Sequence, residues 1–184
     1  MKYILVGNGD IDQAADWSNA DCVVQFNLCR HRARVPAAAA RYVFISNTGT
    51  PSECSVRFLL AERDDPAIAG AVMMNARNPA FYRLKQAGLL MACAAGWRDY
   101  AVSDATRQLA GTWRVATMGF RETLKLETRM RRAGMPAAQM PSTGMVAFDW
   151  VQRRMQPEDR LELTGFSWEG WEGHAWQIER RLMA

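Results

Sequence analysis

Short apolar runs recur along the chain, and most of them are closed by glycine, asparagine or serine. They are KYILV at 2–6, DCVVQFN at 21–27, RYVFIS at 41–46, AIAGAVMMN at 67–75 and, late in the chain, RLELTGF at 160–166. Short apolar runs bounded by turn residues are typical of strands that are buried on both faces of a parallel sheet. The pattern therefore predicts five strands.

Helical patterns lie between and after these runs. They cover 51–64, 78–96, 120–134, 141–155 and 174–183. The first opens with Pro-Ser, a common helix start, and the third ends at Gly134, a common C-terminal cap. Strands that alternate with helices predict an α/β fold with a mostly parallel sheet flanked by helices. We expect residues 1–184 to form a single Rossmann-like domain.

The composition agrees with one globular domain and narrows the class of ligand. Of the 184 residues, 49% are hydrophobic and 23% are charged, which is ordinary for a protein that buries a core. The net charge of +4 suits an anionic small ligand. The basic residues are scattered and form no long stripe, so we do not expect a nucleic-acid partner.

Metal sites and targeting segments are not indicated. The chain has four cysteines, with no C-x-x-C pair, and only two histidines, so a zinc site is not expected. The start, MKYILVGNGD, lacks the apolar stretch of a signal peptide, and no segment approaches the length of a membrane span. These features predict a cytoplasmic protein with reduced thiols and no membrane span.

Small polar residues follow the strands at the points where the strands end. They are Asn8 and Gly9, then Asn27, then Ser46 and Asn47, and then Asn75 and Asn78. In an open parallel sheet, ligands bind beyond the carboxyl ends of the strands. These side chains are expected to converge on one edge, where they suit a base, a ribose or a phosphate.

The turn after the first strand invites comparison with the dinucleotide fingerprint G-x-G-x-x-G. Gly7 and Gly9 fit that spacing, but Asp12 stands where the third glycine is required. Asp10 and Asp12 would also repel a pyrophosphate, so a nicotinamide or flavin cofactor is not expected. There is no G-K-[ST] sequence either, which excludes a P-loop. Taken alone, Gly-Asn-Gly is best interpreted as a tight turn from a strand into a helix.

The tetrapeptide PSTG, at 141–144, opens a predicted helix. Ser142 or Thr143 at the cap would satisfy free backbone amides. The same amides, the helix dipole and the hydroxyls together form a candidate anion site with Gly144. Cap and anion site are both open on the sequence alone.

One of the two histidines, His174, lies near the start of the last predicted helix. A helix N-terminus lowers the pKa of an imidazole and favours the neutral form that a general base needs. Glu179 lies five residues on, roughly 140° round a helix, so the two side chains are not stacked neighbours. We expect His174 to face the cleft and Glu179 to anchor the helix or a loop.

The segment from 165 to 176 holds three of the seven tryptophans, Trp168, Trp171 and Trp176. Tryptophan rings at such positions form a core, an interface with a partner, or a platform on which a sugar stacks. Trp168 and Trp171 are candidates for an acceptor site or an interface. The interface hypothesis predicts an exposed apolar patch made by all three rings.

The order of these motifs resembles that of the sialyltransferase family (glycosyltransferase family 29). The matching stretches are ILVGNGDIDQAADWSNADCVVQFN, then PSTGMVAFDWVQRRMQPEDRLELTGF, then the H-x-x-x-x-E formed by His174 and Glu179. They correspond to the family's large, small and very small motifs, and they cover well under half of the chain. The chain looks like a short bacterial relative. It also resembles, more weakly, proteins named urease operon accessory protein.

The resemblance implies a variant of the GT-A glycosyltransferase fold and a role for each matched residue. Asn8, Gly9 and Asn27 would contact the nucleotide of a CMP-activated sugar, such as sialic acid. Ser142, Thr143 and Gly144 would hold its ribose, phosphate or carboxylate. His174 would deprotonate the acceptor hydroxyl or donate to the leaving phosphate, with Glu179 as the second catalytic residue of the motif. Transfer would be a single inverting displacement that needs no metal and no cofactor.

Three hypotheses stay open on the sequence. The first is a glycosyltransferase with a CMP-sugar donor and an unidentified acceptor glycan. The second is a nucleotide or nucleotide-sugar binding protein without turnover, which is favoured by Gln25 standing where the family has arginine. The third is an accessory protein that acts through a protein partner or as a homodimer, with the tryptophan-rich segment as its interface.

Overall fold

The computed structural model describes residues 1–45, 49–61, 68–73, 115–118 and 120–184. The described strands are β1 (Lys2–Val6), β2 (Cys22–Phe26), β3 (Ala40–Ile45), β4 (Ile68–Met73), β5 (Val115–Thr117) and β6 (Arg160–Thr164). The described helices are α1 (Gly49–Ala61), α2 (Phe120–Arg132), α3 (Thr143–Gln152) and α4 (Trp176–Met183), with a 3-10 turn at Arg32–Arg34.

The six strands form one sheet in the order β5-β4-β3-β2-β1-β6. Every neighbouring pair is parallel. From β1 to β5 the chain moves steadily toward one edge, and β6 then returns to the opposite side of β1. A crevice opens beyond the carboxyl ends of the strands where the order reverses in this way. In this protein the reversal lies between β1 and β6.

Both faces of the sheet are covered around β1 and β2. On one face, Leu5, Val24 and Phe44 pack in a cluster with residues of α2, α3 and α4, including Leu126 and Met145. On the other face, Ile4, Val6 and Val23 pack against Trp17 and neighbouring residues of the β1–β2 connection. Burial on both faces explains why β1 and β2 are nearly continuous apolar runs, whereas β6 is only partly buried and alternates apolar and polar residues. The predicted α/β fold with a parallel sheet and flanking helices is confirmed at this level.

The element boundaries agree with the sequence pattern for the five predicted strands. β5 was not expected, because its three residues form no apolar run that stands out from its surroundings. The predicted helix at 78–96 lies outside the described residues, as do Ser46, Asn47, Asn75 and Asn78. Within the described ranges, no helix combines the length and the apolar character that crossing a membrane requires.

Candidate functional site

A cavity of about 650 Å³ lies at the carboxyl ends of β1, β2 and β6, where the strand order reverses. Its walls come from the three strand ends, the start of α3 and the segment that precedes α4. The lining residues are 7–10, Phe26, Asn27, Arg30, 142–144, 165–170, His174 and Trp176. The motifs near the two ends of the chain therefore meet around one space.

Glycine allows the ends of β1 and β6 to pack backbone against backbone. The Gly7 amide donates to the carbonyl of Thr164, and the Gly9 amide donates to that of Gly165, each over 2.8 Å. A Cβ atom on Gly7 would lie 2.0 Å from the Gly165 oxygen, well inside any tolerable contact. The Gly-Asn-Gly turn thus joins β1 to β6 at the edge of the cavity, and larger side chains would separate them.

Asn8 uses both polar atoms of its side chain within the protein. Its Nδ2 donates to the carbonyl of Phe26 (3.2 Å), and its Oδ1 accepts from the backbone amide of Arg30 (3.4 Å). The ring Nε2 of His31 hydrogen-bonds the carbonyl of Gly9 (2.8 Å), which adds a second link. Asn8 lines the cavity, and its amide holds the β1 turn to the end of β2.

Asn27 occupies the left-handed region, with φ of 51°, directly after β2. Asparagine tolerates this conformation better than most residues do. Its backbone amide donates to the carbonyl of Phe44 (2.8 Å), so the chain turns while still held to β3. The turn brings Asn27 into the cavity lining.

The start of α3 forms one wall of the cavity. Ser142 is the N-cap, and its Oγ accepts from the Met145 amide over 3.1 Å. The amides of Thr143 and Gly144 have no partner within the helix, because the first N–H groups of a helix have no preceding carbonyl to pair with. Both residues line the cavity, so these N–H groups and the positive end of the helix dipole adjoin it.

Glu179 is 1% exposed and does not line the cavity. One carboxylate oxygen accepts from the Ser142 amide (2.7 Å), and the other accepts from the Ser142 hydroxyl. Burial raises the pKa of this carboxyl, and the two hydrogen bonds from Ser142 act in the opposite direction. The arrangement anchors α4 to the start of α3, and it places Glu179 too deep to touch a ligand.

His174 lines the cavity from the segment before α4. Its Nδ1 bonds the carbonyl of Met140 over 3.1 Å, and because a carbonyl only accepts, Nδ1 carries the proton. In the neutral ring the lone pair therefore lies on Nε2. The Met140 amide also donates to the carbonyl of Gly173 (2.9 Å), which fixes the segment that carries the ring.

The pKa of His174 is lowered, because burial penalises the charged ring more than the Met140 hydrogen bond favours it. The direction agrees with the sequence-based expectation, but the cause differs. His174 precedes the first residue of α4, Trp176, so the ring is not part of the helix start. A neutral ring with a free lone pair on Nε2 is chemically able to accept a proton.

The tryptophans divide between the cavity and the surface. Trp168 stacks on Phe166, with ring centres 5.2 Å apart, and both line the cavity. Trp176 also lines it and meets His174 edge to face at 5.1 Å. Trp171 lies against His174 at 4.8 Å but is 54% exposed and outside the lining. The three rings that the interface hypothesis assigns to one exposed patch are therefore not exposed together.

The structure thus brings together most of the residues that the sequence singled out. The cavity is lined by Asn8, Gly9, Asn27, Ser142, Thr143, Gly144, Trp168 and His174, whereas Glu179 and Trp171 lie outside its lining. Two further lining residues were not predicted as part of the site: Arg30, three residues beyond Asn27, and Phe166, after β6. The signal for Arg30 was its position beyond the end of β2.

The charged groups of the lining are Arg30, Asp10 and Glu169. Among the residues that the structure describes, no group of three or more histidine, cysteine, aspartate or glutamate side chains is placed to hold a metal ion. The arrangement offers backbone donors, one guanidinium, aromatic faces and an imidazole base around a single cavity.

Comparison of the chain with protein-family models, with curated proteins and with solved structures finds no match in any of the three.

Proposed function

We propose that the cavity binds a CMP-activated sugar and that the protein is a glycosyltransferase resembling sialyltransferases, with a Rossmann-like variant of the GT-A fold. One observation carries the proposal. The V-G-N-G turn, the P-S-T-G helix start and the histidine of H-x-x-x-x-E lie far apart in sequence, yet they line the same cavity. Their order suggests the family, and their convergence is what a shared site requires.

The cavity suits a nucleotide in size and in chemistry. Its volume of about 650 Å³ falls in the range of ordinary small-molecule sites. The free amides of Thr143 and Gly144 suit a phosphate oxygen, as helix starts commonly do. The stacked rings of Phe166 and Trp168 offer an apolar face to a base or a sugar.

The proposed reaction is a single displacement at the anomeric carbon of the donor. Nε2 of His174 takes the proton of the acceptor hydroxyl while that oxygen attacks the carbon. The bond from the carbon to the phosphate oxygen breaks, and its electron pair leaves with CMP. The N–H groups at the start of α3 stabilise the departing phosphate. The configuration of the carbon inverts, and by resemblance to the family no metal takes part.

A second candidate is a nucleotide-binding accessory protein without turnover. It is favoured by Gln25, which stands where the family has arginine. Glutamine carries no charge, and Gln25 is 1% exposed and does not line the cavity. Gln25 therefore gives a ligand neither the charge of an arginine nor a contact. In that case exposed Trp171 would be a contact for a protein partner.

Calorimetry with CMP, CDP, UMP and GDP tests the nucleotide site. We expect the cytidine nucleotides to bind and the others to bind more weakly. If no cytidine nucleotide binds at millimolar concentration, the CMP-sugar proposal fails, and if none of the four nucleotides binds, the second candidate fails as well.

If CMP binds, hydrolysis of a CMP-sugar separates the enzyme from the binder. His174→Asn keeps an N–H donor where Nδ1 meets Met140 and removes the base at Nε2. We expect this variant to bind CMP normally and to lose about 100-fold or more in rate, the usual contribution of a general base. Gln177→Ala, an exposed change on α4, is the control. Equal rates in wild type and His174→Asn would remove His174 from the mechanism.

A further inference from the structure

Of the described residues that line the cavity, Arg30 is the only lysine or arginine. It lies just beyond β2, on a part of the wall that the family motifs do not cover. Its guanidinium makes no ion pair or hydrogen bond with any residue that the structure describes. An exposed charged side chain that lines a cavity, and that has no partner among the described residues, is available to a ligand.

The other arginines between residues 30 and 41 are engaged within the protein. Arg34 donates to the carbonyls of Asp12, Gln13 and Ala15 and lies over the ring of Trp17. Arg32 lies over the ring of Phe58 at 5.4 Å. Arg41 donates to the carbonyl of Arg32. The guanidinium of Arg30, unlike those of the other three, makes no such contact with the described residues.

The backbone that carries Arg30 is held on both sides. The Arg30 amide donates to Oδ1 of Asn8 (3.4 Å), and the adjacent His31 ring bonds the Gly9 carbonyl (2.8 Å). Since Nδ2 of Asn8 also donates to the Phe26 carbonyl, the Gly-Asn-Gly turn after β1 fixes the position of the Arg30 backbone. A fixed backbone beneath an uncommitted side chain lowers the entropic cost of binding a ligand.

We propose that Arg30, which lines the same cavity as the start of α3, binds the phosphate of the ligand and so determines specificity for a nucleotide over a nucleoside. This inference rests on the proposed nucleotide site. A guanidinium pairs with a phosphate through two parallel hydrogen bonds. Asn8 then acts as a positioning residue for Arg30.

The two carboxylates in the lining, Asp10 and Glu169, oppose an anion. Both residues are exposed, as Arg30 is, so water and salt screen the charges of all three wherever they are not in direct contact. Neither forms an ion pair with Arg30 in the described structure. Asp10 and Glu169 therefore do not neutralise the charge of the guanidinium by pairing with it, and that charge is available to a phosphate.

Calorimetry of Arg30→Gln with CMP and with cytidine tests the proposal. We expect the affinity for CMP to fall about 10- to 100-fold, as is usual when a hydrogen bond to a charged group is lost. The affinity for cytidine should change less than about twofold, because cytidine has no phosphate. Arg30→Lys should give an intermediate loss, since an ammonium lacks the bidentate geometry. Arg32→Gln removes the same charge outside the cavity and should bind CMP as wild type does.

The outcomes separate this proposal from the proposed function. If wild type binds CMP and Arg30→Gln binds it equally well, the role of Arg30 is overturned and the proposed function stands. An equal loss for CMP and cytidine overturns it too, because the change would then act on the cavity as a whole. If UMP or GDP binds in an Arg30-dependent way and no cytidine nucleotide does, Arg30 stands and the CMP-sugar function falls. No binding by any nucleotide overturns both.

Discussion

His174 is the residue on which the enzymatic proposal depends. Its Nδ1 proton is held by the Met140 carbonyl, and burial lowers the pKa of the ring. A general base needs a free lone pair, and this environment keeps the ring uncharged at neutral pH, so that Nε2 can accept a proton. The same burial has an effect on stability. Because the folded pKa lies below 6.5, the unfolded chain binds the proton first, and His174 destabilises the fold progressively as pH falls below 6.5.

A pH titration of the imidazole signals by NMR checks this environment directly. The chain has only two histidines, so His174→Asn identifies the His174 signal by its disappearance. We expect the His174 signal to titrate with a pKa below 6.5 and the acidic limb of any activity profile to follow it. A midpoint above 6.5 would contradict the burial seen here, because it would mean that the charged ring is favoured.

Individual residues of the site were partly predictable from the sequence. His174 and the P-S-T-G segment were identified because motif order is visible in a linear chain. The pairing of Glu179 with Ser142 joins residues that are 37 positions apart, and only the packing of α4 brings them together. Arg30 was missed because an arginine in a turn carries no local sign of whether its side chain has a partner.

At the scale of elements, the site depends on the attachment of α4 to the start of α3. Glu179 provides it by accepting from both the amide and the hydroxyl of Ser142. Met140 adds two links to the segment before α4, through the Gly173 carbonyl and the His174 ring. The wall with the free N–H groups and the wall with the base are therefore held to each other.

Removing the Glu179 carboxylate should loosen this attachment. We expect Glu179→Ala to lower the free energy of unfolding by about 2–4 kcal/mol, because two buried donors on Ser142 lose their acceptor. Glu179→Gln keeps a carbonyl acceptor and should cost no more than about 1.5 kcal/mol. Denaturant unfolding measures both values.

Glu172→Ala, an exposed change in the segment before α4, is the matched control and should stay within about 0.5 kcal/mol of wild type. If Glu179→Ala leaves the free energy of unfolding unchanged, the Ser142 contacts contribute little to the attachment of α4 to α3.

The elements themselves followed the hydrophobic pattern, while their arrangement did not. The runs of β1, β2 and β3 stand out in the sequence because burial on both faces favours continuous apolar residues, whereas the partly buried β6 alternates apolar and polar residues. The three residues of β5 are too few to produce such a signal. The position of β6 beside β1 was not predicted, since a parallel crossover leaves no mark in local sequence.

For the whole molecule, the reversal of strand order brings distant parts of the chain to one cavity. β1 ends just before Gly7, and β6 lies beside it although it comes more than 150 residues later in the sequence. The Gly7–Thr164 and Gly9–Gly165 hydrogen bonds join the ends of the two strands. α3 and α4 then close the space on one face of the sheet. A ligand in this cavity touches segments from both ends of the chain, whereas α1 packs against β3, two strands away from β1.

Amide hydrogen exchange with and without CMP tests whether the cavity works as one site. We expect CMP to slow exchange in three distant segments together, 7–9, 140–145 and 173–179, because the ligand lies among them and the links through Ser142 and Met140 join two of them. Exchange in α1 should stay unchanged, which provides an internal control. Protection limited to one segment, or centred on α1, would place the nucleotide elsewhere and would separate the three motifs that the proposed function unites.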